Sequence, residues 1–107
     1  MADKKLRDPL GRQVILHNHT WIGHILRRHR ELRARRNLVE QTITKPLEIR
    51  FSAADSDCRV YFGSGPRKTI MTAVVADVVR GFVKTAHFVK SAKGVIEWSR
   101  QTPSKGS

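Results

Sequence analysis

Six arginines crowd into ten residues of this chain: Arg27, Arg28, Arg30, Arg33, Arg35 and Arg36. Each guanidinium is a planar fork of donors that matches phosphate oxygens. A helical array of them follows a nucleic-acid backbone without reading its bases. A charge run is also what a solvated helix face looks like. Here only Glu31 and Glu40 lie near enough to offset the run, which favours phosphate binding. His24 and Arg28 are four apart and share a helix flank, beside the apolar stripe of Trp21 and Ile25. His29 falls within that stripe if the helix continues. Two readings stand for it: a site residue, or a buried histidine bonded to a carbonyl. Further on, Thr85 and His87 have the same parity in a β-type run, so they point the same way about 6–7 Å apart. A hydroxyl and an imidazole on one sheet face can hold and protonate a phosphodiester, although β-propensity alone also accounts for Thr85. Arg59 and Tyr61 share a face of the preceding strand. Tyr61 is a candidate base stacker or a core-rim tyrosine. Arg67 and Lys68 form a basic loop tip.

What is missing narrows the chemistry. There is no P-loop, no GxGxxG and no paired acidic site of the two-metal type. Asp55 and Asp57 read as turn formers. His17-Asn18-His19 lacks a Cys or carboxylate at ligand spacing and reads as a capping turn, so no metal or other cofactor is expected. The single Cys58 excludes an internal disulfide and points to a reducing, cytoplasmic setting. The remaining toolkit of His, Arg, Lys, Thr and Tyr suits metal-free RNA cleavage. One group takes the 2′-OH proton, another protonates the leaving 5′ oxygen, and cations steady the phosphorane. DNA lacks that 2′-OH.

These residues must be held by a small body. The chain has 107 residues, 39% of them apolar, with 21 Lys+Arg against 9 Asp+Glu for a net charge of +12. That length supports one domain with one core. The charge selects polyanionic partners: RNA, DNA, an anionic membrane or an acidic protein. No run reaches the ~18 apolar residues of a membrane span, and the N-terminus has no secretory signal pattern.

Residues 1–7 read as a loose basic arm, 8–100 as the domain and 101–107 as a disordered tail. Asp8-Pro9-Leu10-Gly11 is turn chemistry, and Gln13–Leu16 a short β-type run. A helix begins near Trp21, capped by Asn18 or Thr20, and Gly23 within it suggests a close packing contact. A second helical stretch covers about 31–44 and stops before Pro46. Period two then predicts strands over 47–51, 58–62, 69–79 and 82–89, with a short edge strand over 94–98. Arg80-Gly81 reads as a two-residue hairpin turn. Parity places Phe82, Lys84, Ala86 and Phe88 on one face of 82–89, and Val83, Thr85, His87 and Val89 on the other. The predicted class is α+β: an N-terminal helical pair packed on a four- to five-stranded antiparallel sheet.

The order Asp8-Pro9-Leu10-Gly11-Arg12-Gln13-Val14, Trp21-Ile22-Gly23-His24-Ile25, Arg28-His29-Arg30-Glu31 and Thr42-Ile43 before Pro46 resembles the phage-associated barnase/EndoU/colicin/RelE-like (BECR-fold) nuclease domains. Gly81-Phe82-Val83-Lys84-Thr85-Ala86-His87-Phe88 and Gly94-Val95-Ile96-Glu97-Trp98 continue the pattern over about residues 8–98. The resemblance implies a ribonuclease toxin or effector. It implies that His24, His29 and Thr85 are the matching site residues, with Arg30 where a proline is usual and His87 where an aromatic is usual. The expected roles follow: His24 as acid or base with His29 or His87, Thr85 on a phosphate oxygen, Arg28 and Arg59 on the transition-state charge. Arg27, Arg33, Arg35, Arg36, Tyr61, Arg67 and Lys68 would bind tRNA or other cellular RNA. A non-catalytic basic binding module, or an inactive member of the same fold, is the alternative.

Overall fold

The computed structural model describes residues 2–100, so the tail read over 101–107 lies outside the described residues. The chain order is β1 (Lys4–Arg7), β2 (Gln13–Leu16), a helical run α1 over residues 18–28, a 3-10 turn (Arg30–Leu32), α2 (Arg36–Thr44), and then β3 (Glu48–Phe51), β4 (Cys58–Ser64), β5 (Met71–Asp77), β6 (Phe82–Val89) and β7 (Ile96–Ser99).

The strands form one sheet in the order β1-β2-β6-β5-β4-β3-β7. All neighbours are antiparallel except β2 and β6, which pair in parallel at Ile15 and Phe82. This corrects the expected class. A mixed seven-stranded sheet dominates, in place of a helical pair on four to five antiparallel strands. The cause lies at the N-terminus. Lys4–Arg7, read as a loose arm, is an edge strand paired with β2 in register Lys4 to Leu16. Its exposed cations are what protected sheet edges carry, and they hide it from a hydropathy pattern. The Asp8 turn closes this hairpin, with Gly11 at φ 86°.

The helices cover one face of the sheet. Trp21, Ile25, Leu32, Val39 and Ile43 meet Ile49, Tyr61, Val74, Ala76, Val83 and Ala86, with Leu6, Val14 and Leu16 of the hairpin completing the core. Each such aliphatic side chain contributes about 1.5–3 kcal/mol by leaving water. Gly63 lets α2 approach β4: a Cβ there would lie 2.8 Å from Thr42 Oγ1. The connection between β5 and β6 has four residues rather than two. The Asp77 carboxylate organises it by accepting the amides of Val79 and Arg80 at 3.0 and 2.7 Å, and Gly81 closes it at φ 84°. Among the described residues, no helix is long and apolar enough to cross a membrane.

Candidate nucleic-acid interface

Three backbone irregularities shape the face where the chemistry-bearing residues gather. The middle turn of α1, Trp21–Ile25, is π-helical. Such turns often mark functional sites, and this one carries His24. Next, α1 ends at Arg28. His29 leaves helical angles at φ −131°, ψ 72°, so the helix stops there although Arg30 replaces the proline of the family pattern. Finally, β6 has an extra residue: Val75 pairs with Thr85 but Ala76 pairs with Val83, leaving Lys84 as a bulge. The bulge moves Val83 onto the core face with Ala86, both fully buried. The clean parity split of 82–89 is therefore corrected, since a bulge inserts one unpaired residue and reverses the faces beyond it.

Between α1 and β6 lies a cavity of about 560 Å³ lined by His19, Gly23, His24, Val75, Lys84 and Thr85, among others. His24 and Thr85 share it, as their candidate roles require. No arginine lines it, and its cation is Lys84, which parity had assigned to the apolar face. The close packing contact expected at Gly23 is absent: a Cβ there would meet nothing within 4 Å.

One step along β6, the His87 ring lies 5.5 Å from that of His29, and His29 Nδ1 lies 3.5 Å from Glu31 Oε2. The His29 side chain is 30% exposed, so it is not the fully buried histidine of the alternative reading. Burial holds the His87 pKa below the ordinary 6.5, and a positive His29 pushes in the same direction against the opposing pull of Glu31. His87 is therefore a neutral proton acceptor at pH 7.

The candidate cations divide sharply. Arg27, Arg28, Arg30, Arg33 and Arg35 are exposed and make no ion pair among the described residues. Arg35 and Arg67 line a common cavity of about 330 Å³ with Glu31, Ile70 and Phe88, so the loop tip joins the arginine segment. Lys68 lines the neighbouring cavity with Arg67. Arg36 differs: it is buried, its Nε donates to Glu40 at 2.9 Å, its Nη2 donates to the Ala2 carbonyl at 2.8 Å, and it lies over the Trp21 ring. Its expected role in substrate binding is withdrawn.

Arg59 and Tyr61 also leave the site. Tyr61 is fully buried and donates to Asp8 Oδ2 at 2.5 Å, so its ring offers no face to a base. Arg59 is only 15% exposed, pairs with Glu97 at 3.0 Å and donates to the Ser56 and Cys58 carbonyls. Glu97 in turn takes a two-pronged bond from Arg12 at 3.0 and 2.7 Å, and Arg12 Nε meets Asp8 at 2.8 Å. Burial would raise the Asp8 and Glu97 carboxyls. The Tyr61 and Arg12 bonds to Asp8, and the Arg12 and Arg59 bonds to Glu97, hold both below their ordinary values.

A scan against protein-family models finds no match to this chain, and searches of curated proteins and of solved structures find none either.

Proposed function

We propose that the protein is an endoribonuclease that needs no metal and cleaves tRNA or other cellular RNA as a toxin or effector. The reading is carried by one observation: His24 and Thr85 border one cavity, and His87, the next residue on that face of β6, is held neutral beside His29. Neutral His87 takes the proton from a ribose 2′-OH. The 2′ oxygen forms a bond to phosphorus, and the P–O5′ bond breaks. Protonated His24 donates to the departing 5′ oxygen. The products are a 2′,3′-cyclic phosphate and a 5′-OH. The Thr85 hydroxyl donates to a non-bridging oxygen, and Lys84, which lines the same cavity, opposes the charge on the phosphorane, while Arg28, outside that cavity, joins the cations along the backbone. His29 acts as a positioning residue, its ring 5.5 Å from that of His87. Arg27, Arg30, Arg33, Arg35, Arg67 and Lys68 hold the backbone.

The resemblance to the BECR-fold nuclease domains supports the same assignment for His24, His29 and Thr85. Such an activity requires cytosolic RNA as target and an acidic antitoxin or immunity protein as guardian. The test is incubation with tRNA in EDTA and analysis of the ends. Cyclic-phosphate products that vanish in His24→Ala support the reading; intact RNA at any enzyme concentration removes it.

A second reading, a non-catalytic RNA-binding module, draws on the five unpaired arginines, which need no catalytic centre to explain them. It predicts salt-sensitive binding without turnover, and harmless expression in a host that a ribonuclease would arrest.

A further inference from the structure

The sheet face that the helices leave uncovered carries a second cavity, of about 600 Å³, on the other side of His87. Val60 and Phe62 of β4, Ala73 and Val75 of β5, and Val89 of β6 make its floor. Val75 also borders the His24/Thr85 cavity, so the two hollows adjoin at Val75, with His87 on one and Thr85 on the other. We infer that this apolar hollow seats the nucleobase next to the scissile phosphate, making it the base subsite of the proposed ribonuclease. The inference rests on that reading of the site and adds to it where the substrate's base goes.

Three features carry it. The volume lies within the roughly 300–1,000 Å³ typical of small-molecule sites, enough for one nucleoside and too small for a folded partner. The charges are one-sided: Lys90 and Lys93 line the hollow, and among the described residues no carboxylate does. An apolar floor under a cationic rim matches a flat base followed by a phosphate, as in single-strand binding sites. The third feature is position. His87 pairs with Ala73, and Thr85 pairs with Val75. A base over Ala73 and Val75 therefore brings its own ribose to the two groups that must meet the 2′-OH and the phosphate. The side chains of the hollow offer Ser52 and Ser91 hydroxyls and no amide or carboxylate. The subsite therefore tolerates several bases and favours those that stack most strongly, the purines.

The test is methyl NMR of the intact protein titrated with adenosine 3′-monophosphate, uridine 3′-monophosphate and inorganic phosphate in parallel. Both nucleotides should shift the methyl signals of Val60, Val75 and Val89, adenosine at several-fold lower concentration. Phosphate alone should leave those methyls in place. In a second arm, Val60→Glu puts a carboxylate on the solvent side of the floor and should weaken binding of a short oligoribonucleotide at least tenfold. Nucleotide shifts confined to the arginine segment, with wild-type affinity in Val60→Glu, would overturn the inference. Cleavage of tRNA by that same preparation would then leave the ribonuclease reading standing without the subsite. Methyl shifts in a protein that never cleaves RNA would keep the subsite and remove the ribonuclease.

Discussion

Two basic regions of this molecule follow opposite rules. In the network around Asp8, every charge has a partner: Tyr61 and Arg12 on Asp8, Arg12 and Arg59 on Glu97. In the segment from Arg27 to Arg35, five guanidinium groups have none among the described residues; of the two nearby acids, Glu31 faces His29 and Glu40 is held by Arg36. Of the nine Asp and Glu side chains, seven pair with Lys or Arg and the other two, Asp3 and Glu31, face histidines. The chain's own acids therefore cannot neutralise the arginine segment. Clustered like charges repel and lower stability; the paired network serves the fold, and the unpaired segment is the part to which the proposed function assigns the RNA backbone.

The largest expected effect tests whether the second region serves chemistry. His24→Ala should lower RNA cleavage by about 10²–10⁴-fold, the usual value of a positioned acid or base, with an unchanged circular dichroism spectrum. Full activity would take His24 out of the site. Next comes the paired region. Asp8→Ala strands Arg12 and the Tyr61 hydroxyl, and should cost about 3–5 kcal/mol in urea unfolding, while an Arg33→Ala control stays within about 0.5 kcal/mol. Equal costs would erase the distinction between the regions.

The pH dependence separates the two as well. His87 is depressed below 6.5 in the folded protein, so its power to accept a proton is complete above that pH and is lost as pH falls through the lower value. The acid limb of kcat/KM should therefore lie below pH 6.5, falling about tenfold per unit; a limb above 6.5 would point to another base. Asp8 and Glu97 are also depressed, so their stabilisation is present above their ordinary values of 3.8 and 4.5 and disappears in more acid solution. Acid unfolding should therefore follow at lower pH than the loss of activity.

Smaller again is the effect of single arginines on affinity. Replacing Arg30, Arg33 and Arg35 by serine should flatten the dependence of log affinity on log salt by about 0.7 per residue on single-stranded RNA. Arg36→Ser should lower thermal stability instead. The smallest effect belongs to Gly23→Ala, which faces open space in the His24 cavity. It should stabilise the helix by up to about 1 kcal/mol and weaken RNA binding only slightly, since a methyl group narrows the cavity without adding charge.

Much of the local structure was legible. The strand read over 82–89 has those bounds, the strand starting at Cys58 begins there, and α2 ends just before Lys45-Pro46, where proline bars the helix. His24 and Thr85, both legible as candidate site residues, border one cavity, but the arginine expected to join them there does not. The arginine segment was visible as a charge run. What escaped was long-range. Lys4–Arg7 carries too few apolar residues to announce a strand, and a parallel pairing of β2 with β6 leaves no local trace. The bulge at Lys84 has no compositional mark either, so parity assigned Lys84 and Val83 to the wrong faces. The hollow with Lys90 and Lys93 could not be anticipated, because its floor depends on the register of three neighbouring strands and its rim on two loops, neither of which composition records.

Residue types and spacing alone determined which groups have the chemistry to act on a phosphodiester and that the chain carries a large positive charge, since both follow from composition and local geometry. Only the tertiary structure decided which cations remain available. Arg59, Tyr61 and Arg36 look like binding residues until the chain folds and brings Glu97, Asp8 and Glu40 against them. An ion pair depends on distance in space, and pairs such as Arg59 with Glu97 join residues that lie far apart along the chain.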